Sequence, residues 1–270
     1  MAQSELTLTE HKPFHTQRKD VWWVQPLVVF LGLGTFILYA TFRVFEGAHF
    51  LPDHAPYLTP FYSPLLFGID EHTIAHSWFG AMPDWMPSLI TPAVLILWAP
   101  LGFRFTCYYY RGAYYKAFWV DPPSCTVSEP RKGYRGEQSF PLIIQNIHRY
   151  FLYVAIVIVG VLAYDVWEAL WFSDGNGGKT FGIGIGTIVL AINVVLLGGY
   201  TFGCHSLRHL VGGIVDLLSK APIRRNMYNC ISCLNRRHML WAWMSLCWVG
   251  FSDLYVRIIA TTGWKDYITF

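Results

Sequence analysis

Charge is scarce in this sequence. Lys, Arg, Asp and Glu make up 14% of its 270 residues, against about 25% in an average soluble domain. Basic residues are missing altogether from Glu46 to Trp85. There is no internal repeat and no low-complexity stretch, which argues against solenoids and against the paired repeats of many transporters. No nucleotide-binding fingerprint, nucleophile motif or soluble catalytic domain is visible. Residues 1–20 are polar, so a cleavable leader is lacking and the first apolar segment is expected to stay as an anchor. The six cysteines fall at irregular spacing, several of them in or beside apolar segments. That excludes a secreted disulfide framework.

Apolar residues are abundant instead: 54% of the chain is hydrophobic and 17% aromatic. About 20 consecutive apolar residues cross a bilayer as a helix. Five segments qualify: Val21–Phe42, Pro87–Tyr109, Ile143–Phe172, Phe181–Gly203 (with a helical pattern running on to Leu218) and Met239–Thr261. The expected fold is all-α, one transmembrane domain of five helices. Lys and Arg concentrate in alternate connections: Lys12, Arg18 and Lys19; then Arg111, Lys116, Arg131, Lys132, Arg135 and Arg149; then Lys220, Arg224, Arg225, Arg236 and Arg237. The first loop carries Glu46, Asp53, Asp70, Glu71 and Asp84, and the third only Lys179. By the positive-inside rule the N-terminus is cytoplasmic. Cys125 and Lys132 then face inward, and His54 and the Asp70–Glu71 pair outward. His72 and His76 of the outer loop share one helix face if a short interfacial helix forms there.

Two segments carry metal-ligand chemistry: Cys204-His205-x-x-x-His209, and Cys230-x-x-Cys233 followed by His238. They sit at the end of one apolar segment and the start of the next, at the expected cytoplasmic face. Residues four apart share a helix face, so His205 and His209 point the same way while Cys204 turns aside. The CxxC spacing lets one turn offer two thiolates. Two thiolates with two imidazoles suit a structural zinc or a Rieske-type cluster, in which His replaces Cys on one iron. A third arrangement is bis-imidazole haem b between His148 and His205 or His209. The remaining cysteines, Cys107, Cys125 and Cys247, read as spectators, Cys247 as a packed thiol.

The five spans, the GCHSLRH run at 203–209 and the NCISC run at 229–233 with His238 resemble the single membrane-anchor subunit of actinobacterial succinate dehydrogenase, of the mycobacterial type. The resemblance covers essentially the whole chain. It implies a multi-pass protein of the bacterial plasma membrane within succinate:quinone oxidoreductase. A flavoprotein would oxidise succinate, and an iron–sulfur subunit would pass electrons to this chain, which would reduce quinone through a Rieske-type [2Fe–2S] cluster. Membrane lipid is a further partner, and nucleic acid is not. Soluble Rieske domains draw one Cys and one His from each of two loops, a grouping this chain does not repeat. Geometry favours Cys230, Cys233, His205 and His209 as ligands, with His238 and then Cys204 in reserve. Donors and aromatic walls for quinone are sought at the same level, in His148, Arg149 and Tyr150 and in Trp22 and Trp23. The basic connections 111–142 and 219–237 are expected to dock the iron–sulfur subunit. The aromatic set Tyr108–Tyr110, Tyr114, Tyr115 and Trp119 would supply apolar contact there.

Overall fold

The computed structural model describes residues 12–131, 140, 142–173, 177–213, 215–266 and 268–269. Lys132 and Arg135 of the expected inward loop lie outside them. The chain forms two compact units, residues 1–35 with 105–146, and residues 36–104 with 147–270.

Nine α-helices are described: α1 (Val24–Glu46), α2 (Glu71–His76), α3 (Pro92–Thr106), α4 (Tyr108–Tyr114), α5 (His148–Glu168), α6 (Ile185–Phe202), α7 (His205–Gly212), α8 (Pro222–Asn235) and α9 (His238–Thr262). A π-turn, Tyr115–Trp119, follows α4, and a 3₁₀ turn, Leu142–Ile147, leads into α5. Among the described residues, strand is confined to two small pairs. β1 (Trp171–Ser173) runs antiparallel to β2 (Lys179–Phe181), and β3 (Ile183–Gly184) to β4 (Ile268–Thr269).

Among the described residues, three segments are long and apolar enough to cross a membrane: Val24–Glu46, Ile143–Glu168 and Ile185–Phe202. The second expected span is shorter than the sequence suggested, because helix begins only at Pro92 and yields to α4 after Thr106. Pro fits the first turn of a helix, where its missing N–H leaves nothing unsatisfied. The fifth, α9, has the expected limits within one residue but carries Asp253 and Arg257 in its apolar face. The helix expected to run on from the fourth span to Leu218 breaks. Gly203 ends α6, Cys204 is extended (φ −68°, ψ 139°), and α7 starts afresh at His205.

Within the first unit, Arg18 donates to Ser124 Oγ (2.8 Å) and Cys125 O (3.1 Å), tying the N-terminal segment to residues 124–128. Phe30 packs on Phe118, ring centroids 4.9 Å apart. Tyr115 Oη and Arg111 Nη1 both donate to the buried Gln145 Oε1, at 2.6 and 3.3 Å.

In the second unit the helices approach closely where glycine leaves room. A Cβ on Gly199 of α6 would stand 2.6 Å from the Trp241 ring of α9, and one on Gly102 of α3 2.3 Å from Phe151 of α5. Small residues permit such approach in membrane bundles, where burial of apolar surface drives nothing. Lower down the same seam Trp248 Nε1 donates to Val189 O at 3.0 Å. At the end of α9, Arg257 donates to Asp253 Oδ2 (2.9 Å), Glu46 Oε2 (2.8 Å) and Ala48 O (2.6 Å). Arg43 Nη1 shares Glu46 (2.8 Å), and Tyr39 Oη donates to Asp253 (2.7 Å). Asp266 accepts from Tyr57, Tyr255 and the Gly186 N–H. At that same end Asp165 accepts from Ser63, and Glu168 pairs with Lys179 at 3.4 Å.

Candidate functional site

The opposite end of the second unit gathers the start of α5, the end of α6 and the start of α9. His148 opens α5. Cys204, buried, stands in the break between α6 and α7; its side chain makes no cap bond to α7. His148 Nε2 lies 3.1 Å from Cys204 Sγ. Phe103 of α3 stacks flat on the His148 ring (4.7 Å, 4°) and meets Tyr200 of α6 edge-on (5.3 Å, 63°). Tyr200 stacks in turn on His238 of α9 (5.0 Å, 18°). Arg104 sits 4.7 Å over the Tyr200 ring, its Nη2 on Ser245 Oγ (3.0 Å) and its Nη1 on Ala242 O (3.3 Å). Four helices thus place a thiol, two imidazoles, two aromatic rings and a guanidinium side by side.

The i, i+4 histidines meet as expected. His205 and His209 bring their Nε2 atoms to 3.0 Å on α7, both exposed. Partial burial, with His209 and Arg208 beside it, holds the His205 ring below its ordinary pKa. Cys230 and Cys233 lie on α8 and are both exposed. The two helices pair through Arg208, which donates to Tyr228 Oη at 2.7 Å rather than pairing with Asp216. Among the described residues no three His, Cys, Asp or Glu side chains converge on one metal ion. Of the four favoured ligands, His205 and His209 share α7, and Cys230 and Cys233 share α8.

The reserve residues, Cys204 and His238, occupy the more enclosed position. Of the quinone candidates, His148 alone joins this constellation. Arg149 and Tyr150 are exposed on α5, Tyr150 by 70%. Trp22 and Trp23 belong to the first unit, just before α1, with Trp23 exposed. Cys247, expected in the core, is exposed on α9, while Cys107, at the α3–α4 junction, is buried. In the acidic loop His72 and His76 do share α2, with rings 4.9 Å apart, and His72 Nδ1 stands 3.1 Å from Asp53.

Phe103, Arg104 and Tyr200 were not picked out from the sequence. Arg104 had a signal: an ionisable residue inside an apolar span is functional by default. Phe103 and Tyr200 had none, since aromatics are common throughout the chain.

No curated protein matches the sequence. A chain of the Mycobacterium smegmatis Sdh1 complex in the apo form is 42% identical, with 96% of this chain and 95% of that chain covered and a TM-score of 0.87. The family model described as actinobacterial succinate dehydrogenase subunit SdhC matches residues 24–262. The chain belongs to that family and is a membrane-anchor subunit of a succinate dehydrogenase complex, an oxidoreductase.

Proposed function

We propose that this anchor also carries electrons, receiving them from a soluble iron–sulfur subunit and delivering them to a membrane quinone through a Rieske-type [2Fe–2S] cluster. In this reading five helices span the plasma membrane with the N-terminus cytoplasmic, and a flavoprotein subunit oxidises succinate. The observation that carries it is the contact of His148 Nε2 with Cys204 Sγ at 3.1 Å, inside an aromatic shell that His238 completes. When bound, such a cluster supplies one-electron transfer at a higher potential than an all-thiolate one.

The donors present fit that group in chemistry. Two imidazoles and a buried thiol are the soft and borderline ligands iron–sulfur centres take. A two-iron cluster distributes its ligands over two metal atoms, so they need not meet at one point. We assign His148, Cys204 and His238 to it, and leave the second thiolate to Cys230 or Cys233. Phe103 and Tyr200 orient the imidazoles by stacking and keep water from them. The His205/His209 pair with Cys230 and Cys233 is the rival set, supported by the 3.0 Å approach of the two rings.

The test compares Cys204→Ser and His148→Ala with the His205→Ala/His209→Ala double variant in the assembled complex. The first two should lose quinone reduction and the reduced-cluster paramagnetic signal while dye-linked succinate oxidation persists. Full quinone reduction with an unchanged signal in both would refute the assignment, and loss only in the double variant would move the site to α7. A Soret band in the pure complex would instead indicate haem b. Serine at Cys230 and Cys233 in turn identifies the remaining thiolate.

A further inference from the structure

We infer that Arg104 is a positioning residue that sets, by its charge, the redox poise of the centre assigned to His148, Cys204 and His238. The inference rests on that assignment and goes beyond it to a residue that ligates nothing.

Arg104 lies in the last turn of α3, in an otherwise apolar helix. A guanidinium stays protonated at any physiological pH, so this segment carries a fixed positive charge. Two neighbouring helices, α9 and α6, fix its place. Ser245 Oγ, fully buried on α9, accepts from Nη2 at 3.0 Å and itself donates to Ala242 O at 3.2 Å; Ala242 O also accepts from Arg104 Nη1. The Tyr200 ring of α6 lies 4.7 Å from the guanidinium carbon. Tyr200 is thus shared, with the guanidinium over its ring and the His238 ring stacked on it at 5.0 Å. Phe103, the preceding residue, is turned by about 100° on the helix and stacks on His148. One dipeptide therefore touches the surroundings of both imidazoles, with an aromatic ring on one side and a cation on the other.

A fixed cation in a low-dielectric region favours whichever neighbouring state is more negative. For a centre that gains one electron, that is the reduced state, so Arg104 raises its midpoint potential. Net charge and surrounding dipoles are among the levers by which a protein tunes such clusters. A clamp joining α3 to α9 would use the same hydrogen bonds without this effect.

Potentiometric titration of the centre's paramagnetic signal in the assembled complex separates the two roles. Arg104→Gln keeps amide donors but removes the charge. It should lower the midpoint potential and slow quinone reduction about tenfold, with dye-linked succinate oxidation unchanged. Arg104→Lys keeps the charge and should leave the potential near that of the parent. If Arg104→Gln fails to assemble, Ser245→Asp places a countercharge against the guanidinium and should lower the potential in its stead. An unchanged potential in Arg104→Gln, or in Ser245→Asp where that stands in, overturns the inference, as does a shift equally large in Arg104→Lys. If the parent complex shows no paramagnetic centre belonging to this chain, the functional assignment falls first and this inference with it.

Discussion

The two ends of the second unit handle polar side chains in opposite ways. At the Arg257 end, charge meets charge: Arg257 and Arg43 are held by Glu46 and Asp253, and each group points into a dense set of acceptors. At the Cys204 end, soft and aromatic groups lie together, thiol on imidazole, imidazole on phenyl and phenol. A buried ion network that is neutral overall fixes geometry and has little to exchange. A thiol and two imidazoles among aromatic rings are held instead by stacking and by contact between soft groups. The bundle thus keeps its ion network and its thiol–imidazole cluster at opposite ends.

The largest expected effect breaks the locked end. Arg257→Ala should cost about 3–5 kcal/mol, because Asp253 would remain buried without its ionic partner and Glu46 would keep only Arg43. Thermal unfolding of the detergent-solubilised complex measures it. A shift within error would mean that the network is wetter and weaker than its geometry suggests. Replacing Arg257 and Asp253 together by Met and Leu should recover much of the loss.

Next comes the seam that joins the ends. Gly199→Ala should destabilise by about 1–3 kcal/mol, since the new methyl must displace the Trp241 ring. The same scan reads it. If quinone reduction also fell, the seam would be shown to transmit position to Tyr200, its neighbour in α6.

A smaller effect is expected outside the bundle. Asp70 caps α2, accepting from Thr73 N–H at 2.8 Å, and that bond and the Thr73 hydroxyl hold its pKa below the ordinary carboxylate value. The lowered native pKa makes its contribution present above the unfolded value of about 3.9 and lost as pH falls through the folded one. Asp70→Ala should cost about 1 kcal/mol near neutrality and less in acid, as melting at pH 7 and pH 3 would show.

The smallest is Asn193→Leu. Both polar atoms of this buried amide, midway along α6, have no hydrogen-bond partner among the described residues. An apolar group of similar size should be neutral or stabilising. A clear loss of stability would reveal a bound water at that depth.

Much of this was legible in the sequence. Apolar runs located α1, α5, α6 and α9, and the 203–209 and 229–233 segments led to the family. The i, i+4 spacing foretold the meeting of His205 with His209. What escaped depends on contacts far apart in the chain. His148 and Cys204 are separated by 56 residues, and Arg104 and Ser245 by 141. No local period encodes which of several histidines at one depth meets a given thiol. The break at Gly203–Cys204 escaped because apolar periodicity survives a single extended residue. The charge on Arg104 and Arg257 was visible, but its role depended on knowing which helices pack together.

The break between α6 and α7 has a consequence in time. Cys204 gains its surroundings from α3, α5 and α9, and the last of these begins only at residue 238. His238 can stack on Tyr200 only once α9 lies against α6, so this cluster is the last part of the bundle to be completed, and its completion reports that the final helix is in place.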